Sequence, residues 1–218
     1  HDYCLASPLD VSLLLGAISV SGNQLASEGD EQTILVEGLT DWKFIDNRGY
    51  SVADWIRSHL PSSTSASICV AYLSPSGFRA IEDELEHFLN KGASLSIISS
   101  EEISKTDAEF LLRLADKYHQ IQAKVYPTEL TFMHSKVYLL EEANKAHVLA
   151  GSSNLTLGGL KTNIESNLAG TFSSDHEMVR QWRENFDIIW TQGIALAEAI
   201  DRLREPAVRD GGLNMDIQ

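Results

Sequence analysis

A histidine and a lysine two residues apart stand in the stretch Met133-His134-Ser135-Lys136-Val137-Tyr138-Leu139-Leu140. Residues 131–140 are rich in apolar and β-branched types and hold neither Gly nor Pro, so they read as a strand. Side chains two apart on a strand share a face. His134 and Lys136 therefore project side by side, while Met133, Val137 and Leu139 point the other way, toward a core. An imidazole beside a fixed ammonium suits attack on a phosphorus atom: the ring is the nucleophile and the cation neutralises the phosphoryl oxygens.

Two further segments complete the set. Gly151-Ser152-Ser153-Asn154 follows the apolar run 147–150, and a Gly turn with small hydroxyl and amide donors brings those donors close to a phosphate. Asn163-Ile164-Glu165 comes next, with Lys161 just ahead of it. Glu165 opens a strand-like run to Phe172, and its carboxylate is expected to bind the second imidazole nitrogen of His134 and fix the tautomer. The catalytic candidates are His134, Lys136, Asn154 and Glu165. Ser152, Ser153, Lys161 and Asn163 are the candidate substrate-binding residues. An isolated H-x-K is usually a surface pattern and an isolated G-S-x-N usually a turn, whereas the three in this order and spacing make a site.

These residues resemble the H-x-K and G-S-x-N signature, with a downstream Glu, of the phospholipase D superfamily. Within it the chain is similar to the single-motif bacterial members, endonucleases of the Nuc type and the nuclease domains of restriction endonucleases. The motif match covers residues 131–172, and the strand and helix pattern agrees with the family fold over most of the chain. One position departs: the family Asp, five residues after the Lys, is Glu141. The resemblance implies a metal-independent phosphodiesterase, without a cofactor, that works through a covalent phosphohistidine. Its implied substrate is DNA, in a restriction or defence setting. A lipid phosphodiesterase and a catalytically silent module for dimerisation or nucleic-acid binding are the alternatives.

The family reaction needs two histidines, one to attack and one to protonate the leaving oxygen. His1, His59, His87, His119, His147 and His176 lie outside any second H-x-K. A homodimer follows, with two copies of the motif meeting across a two-fold axis in one shared active site. An additional DNA-recognition or helicase domain or subunit is a further expected partner. Cys4 and Cys69 lack metal-ligand spacing, so no zinc site is expected, and two cysteines give no disulfide framework.

The 218 residues suffice for one α/β domain, read as residues 1–205, with 206–218 as a flexible tail or linker. An apolar fraction of 43% and a charged fraction of 22% are ordinary for a globular protein. The cysteine usage points to a reducing, cytoplasmic setting. The apolar run 13–20 is too short to span a membrane, so no membrane partner is expected. A net charge of -14 lowers intrinsic affinity for DNA, whose binding is dominated by phosphate neutralisation. A dimer cleft needs only a few cations, for which Lys136, Lys145, Lys161, Arg180 and Arg183 are available.

The elements that must position these groups alternate along the chain. Val11–Val20 reads as a short helix or buried strand, and residues 33–36 as a strand. A capping-box pattern at Ser51 and Asp54 opens a helix that runs to Pro61. Strands over 66–73, 94–98 and 121–126 bracket two helices. One carries Phe78, Ile81, Leu85, Phe88 and Leu89 on one face and stops at Gly92; the other starts from a Thr106/Glu109 capping box. A Ser174/Glu177 box precedes the stripe Met178, Trp182, Phe186 and Ile189, whose aromatics are read as core, and a last helix covers 194–203. The fold class is α/β, a phospholipase D-like mixed sheet flanked by helices on both faces, with one half-unit per chain.

Overall fold

The computed structural model describes residues 42–203. In chain order these form β1 (Lys43–Ile45), α1 (Val52–His59), β2 (Ser65–Val70), α2 (Pro75–Arg79), α3 (Glu82–Asn90), β3 (Ser94–Ser100), α4 (Lys105–Lys117), β4 (Ile121–Tyr126), β5 (Lys136–Glu141), β6 (Lys145–Gly151), β7 (Asn167–Ser173), α5 (Glu177–Gln192), β8 (Ile194–Ala195) and α6 (Leu196–Ala199). The readings of 11–20, 33–36 and the tail from 206 lie outside the described residues, as does the domain boundary at 205.

The eight strands make one sheet in the order β1-β7-β6-β5-β2-β3-β4-β8. β2, β3 and β4 run parallel, as strand–helix–strand crossovers require, while β5, β6 and β7 form an antiparallel meander added beside β2. The sheet is therefore mixed. Directly paired residues share a face, so Lys136 and Tyr138 on β5 lie on the side of Val70 and Ile68, and Val137 and Leu139 on the side of Cys69 and Ser67. The first face builds the main core, with Trp55, Ile56, Leu85, Phe88 and Leu111 of α1, α3 and α4 packed onto Ile68, Ile97 and Leu149. Each such side chain contributes about 1.5–3 kcal/mol when fully buried. α5 covers the second face, where Val179 and Trp182 meet Leu139, Val148 and Phe172. Phe186, Ile189 and Trp190 continue that contact onto Cys69 and Ile98.

Several element boundaries differ from expectation for local reasons. Ser51 and Asp54 do form the capping box of α1, each accepting from the other's backbone amide. α4 starts earlier than read, because Ser104 Oγ accepts from Asp107 N at 3.1 Å and no Thr106/Glu109 box is used. α5 is capped by His176, whose Nδ1 accepts from Met178 N at 3.1 Å, in place of the Ser174/Glu177 box. The single helix read over Phe78–Leu89 is two helices, broken at Ala80 and Ile81. Gly92 ends the second with a positive φ of 86°, a conformation glycine adopts without strain. The last helix read over 194–203 is instead the short β8 followed by α6 and one 3₁₀ turn.

Candidate active site

β5 starts at Lys136 because its partner ends there: Val70 pairs with Lys136, and β2 then leaves the ladder. His134 consequently lies on an irregular stretch ahead of the strand, which corrects the strand read over 131–140. Its ring is exposed and rests beside Phe132, with centroids 5.3 Å apart. Lys136 is only 6% exposed, and its Nζ donates to the His134 carbonyl at 2.9 Å. Burial pushes the Lys136 ammonium below its ordinary pKa, and the charge of Glu165 works against that shift. The two residues are thus neighbours as the H-x-K spacing requires, tied through the His134 backbone. Met133 faces the other way as expected, against Cys69, with sulfurs 3.6 Å apart.

The second segment sits beside this pair. The register that pairs Val137 with Ala150 and Gly151 with Asn167 aligns Lys136, Gly151 and Asn167 in one row on one face. A Cβ on Gly151 would overlap the Ser166 carbonyl and the Asn167 side chain, so only glycine admits this approach. Ser152 is exposed; its hydroxyl donates to Glu165 Oε2 and accepts from Ser166 N at 2.9 Å. Asn163 Nδ2 donates to the other Glu165 oxygen at 3.5 Å. Among the described residues no hydrogen bond joins Glu165 to the His134 imidazole, because that ring stands outside the ladder. The structure gives the carboxylate to Ser152 and Asn163 instead.

Ser153 is placed differently from its expected role. It is 0% exposed and its hydroxyl accepts from Asn167 Nδ2 at 3.0 Å, so it supports the loop from within and does not reach a substrate. Asn154 is held by its amide oxygen, which accepts from Tyr72 N at 3.0 Å. Its Nδ2 is not used in that bond. Lys161 is exposed on a π-helical turn, Gly158–Thr162, that is closed by a bond from Asn163 N to Gly158 O of 2.9 Å.

Three supporting residues escaped the sequence reading. Asn47 takes a positive φ of 69°, which Asn tolerates better than most residues. Its Oδ1 accepts from Val52 N at 2.9 Å, while its Nδ2 donates to the Gly159 and Asn163 carbonyls at 2.9 and 3.1 Å. The start of α1 is thereby tied to the turn that leads into Glu165. Asn47-Arg48-Gly49 is a turn signal that could have drawn attention to it. Tyr138 and Asn167, the other two, look from sequence like ordinary strand residues.

The remaining charged candidates lie elsewhere. Arg183 donates to Glu141 from Nε and Nη2 at 2.8 and 2.5 Å, Arg180 pairs with Glu177, and Lys145 acts electrostatically on Glu142. Glu141 closes β5, about 17 Å from Lys136 at the strand rise. The residue in place of the family Asp therefore has a structural ion pair, and three of the five expected cleft cations are absent from the site. A groove of about 570 Å³ lined by Trp42, Val148, Ala150, Leu168, Met178 and Trp182 also lies away from the chemistry, on the α5 face. Among the described residues no cluster of His, Cys, Asp and Glu could hold a metal ion.

An exposed imidazole, a buried ammonium and a Gly-Ser loop gathered at one end of a mixed sheet form an arrangement that known families can be set against. The profile of the family described as "Cardiolipin synthase, PLD-like domain" matches residues 56–190. The chain belongs to the phospholipase D superfamily. Among solved members, Nuc of Salmonella typhimurium, a phospholipase D family member, superposes with a TM-score of 0.56 at 16% identity, covering 72% of this chain and 97% of Nuc. NucT of Helicobacter pylori gives 0.55 at 16% identity, covering 72% and 99%. Phosphatidylserine synthase of Haemophilus influenzae gives 0.58 at 15% identity over 76% of this chain, which spans only 41% of that enzyme. At such identities the likeness is one of fold. No curated protein matches the chain.

Proposed function

We propose that the chain is a phosphodiesterase in which His134 attacks phosphorus, and that its substrate is DNA. The observation that carries the reading is the convergence of exposed His134, buried Lys136 and the Ser152–Glu165–Asn163 cluster at one end of the sheet. In this scheme a ring nitrogen of His134 forms a bond to phosphorus as the P–O bond to the leaving alkoxide breaks. Lys136 and the Asn154 amide neutralise and bind the non-bridging oxygens, whose charge grows in the transition state. The leaving oxygen takes its proton from His134 of the partner subunit. That ring then deprotonates a water, which hydrolyses the phosphohistidine and regenerates His134.

The homodimer belongs to the proposal because one chain supplies one such histidine. Exposed apolar side chains adjoin the site residues and support it: Phe132, 48% exposed and in ring contact with His134, and Ile164, 76% exposed between Asn163 and Glu165. Isolated exposed apolar residues are ordinary, but several grouped around one polar site mark a contact surface. With Arg180, Arg183 and Lys145 engaged elsewhere, Lys136 and Lys161 leave one protomer a weak electrostatic grip on DNA. Two protomers, or a separate DNA-recognition or helicase subunit, would supply the rest.

The family description favours a second reading, a lipid phosphodiesterase. Among the described residues no helix is long and apolar enough to cross a membrane. Incubating the chain with plasmid DNA in excess EDTA, beside fluorescent phosphatidylcholine vesicles, tests both. Nicking or cutting that disappears in His134→Ala supports the DNA reading; turnover of the lipid alone replaces it with the second. Strict dependence on added metal would overturn the covalent histidine scheme.

A further inference from the structure

Each polar group of Ser153 is bound by a buried side chain. Its amide donates to Asn167 Oδ1 at 3.2 Å, its hydroxyl accepts from Asn167 Nδ2 at 3.0 Å, and its carbonyl accepts from the Tyr138 hydroxyl at 3.0 Å. Tyr138 and Asn167 are themselves buried, at 0% and 1% exposure. Asn167 Nδ2 also donates to the Ile45 carbonyl at 3.1 Å, which fastens the arrangement to β1. Tyr138 stands two residues after Lys136 on the same strand and face, so one rigid element carries both the ammonium and the group that holds the loop. Ser152 and Asn154 flank the pinned residue on either side.

We propose that Tyr138 and Asn167 are positioning residues of the phosphodiesterase site, acting through Ser153 to set Ser152 and Asn154 against Lys136. This rests on the reading of the site given above. A buried hydrogen bond with no competing water defines one geometry, and donors that stabilise a transition state work only within a few tenths of an ångström of their place. The Ser153 carbonyl has Tyr138 as its partner among the described residues. Without that hydroxyl the loop loses its tie to β5 while the bonds of Asn167 to β1 remain.

The experiment uses bis(p-nitrophenyl) phosphate and the full chain, with wild type and His134→Ala as the arms that test the reading itself. Tyr138→Phe, which removes one oxygen and keeps the ring, is expected to lower kcat about 10- to 100-fold with KM changed less than about threefold. In an Asn154→Ala background the same substitution should change kcat by less than about threefold, because a donor it positions is already gone. Ser153→Ala is the second variant, and should behave alike should Tyr138→Phe fail to fold. Wild-type kcat in a folded Tyr138→Phe, or an equal loss in both backgrounds, overturns the inference while leaving the function standing. Turnover retained in His134→Ala, or absent from wild type, overturns the function and with it the inference.

Discussion

At the scale of single residues, the histidines separate by environment. His147 is buried, with Nδ1 at 2.8 Å from Thr171 Oγ1 and Nε2 at 2.9 Å from Glu142 Oε1. His59 stacks on it, and His176 caps α5. His134 alone stands exposed beside Lys136 and the Gly-Ser loop. His134→Ala is therefore expected to lower turnover by about 10³-fold or more. Its stability should change by no more than about 0.5 kcal/mol, since an exposed ring with no hydrogen bond holds little. Parallel kinetics and thermal melts check this, and a large loss of stability would show the ring to be structural. Glu141 gives the opposite prediction. Its pair with Arg183 is partly exposed, at 18% and 40% of the two side chains, so Glu141→Gln should cost under about 1 kcal/mol and leave kcat within about twofold. A kcat loss comparable to that of Lys136→Met would return Glu141 to the catalytic set. The sequence singled out His134, Lys136, Asn154 and Glu165 as candidates because their chemistry and spacing are distinctive. Ser153 was misplaced because a one-residue change of direction in a loop decides whether a hydroxyl faces solvent or core. Tyr138 and Asn167 were missed because their role exists only through pairing across β5, β6 and β7.

At the scale of elements, periodicity predicted which segments become helix or strand, and ladder partners decided where they stop. β5 is shorter than its apolar run because β2 ends at Val70. The caps of α4 and α5 fell to Ser104 and His176, each two residues from the Thr106 or Ser174 that the local pattern favoured. Where α1 meets β6, a titratable contact arises that no local pattern announces. The rings of His59 and His147 stack with centroids 4.0 Å apart, and Trp55 meets His59 edge-on at 5.4 Å. Ser62 and His147 share Glu142, and Lys43 bears on His59 from β1. Burial, then the neighbouring His147, push His59 down to about 4. A histidine with a depressed folded pKa is protonated first in the unfolded chain. Stability is therefore full above about 6.5, the ordinary histidine value, and is lost as pH falls from there toward 4. Glu142, whose pKa is lowered chiefly by the hydrogen bond to His147, adds a loss in the same direction below 4.5. His59→Phe keeps the ring and removes the titration, so its denaturant midpoint should fall less steeply than wild type between pH 6.5 and 4.5. Superimposable pH profiles would show that the stack does not set this slope.

At the scale of the whole molecule, the acidic charge and the apolar surroundings of the site bear on one question, how a chain with one H-x-K motif would complete the proposed chemistry. A net charge of -14 on each chain repels a second copy and repels DNA alike. Association must then come from apolar contact, and raising ionic strength should favour the dimer while weakening any hold on DNA. Exposed apolar residues adjoin the site residues from two segments, Phe132 against the His134 ring ahead of β5 and Ile164 just before Glu165. Burying them across a two-fold axis would bring the two His134 rings toward each other, as the shared-site scheme needs. Ile164→Asp places a charge in that contact without touching the groups that bind phosphate. In sedimentation the wild-type chain should run as a dimer and Ile164→Asp should run as a monomer. Its turnover should fall with protein concentration and recover in part at high salt. Full activity from a monomeric Ile164→Asp would mean that one protomer finishes the reaction alone, with a water or another side chain protonating the leaving oxygen. A dimer that persists and stays active would place the two-fold contact on a different surface.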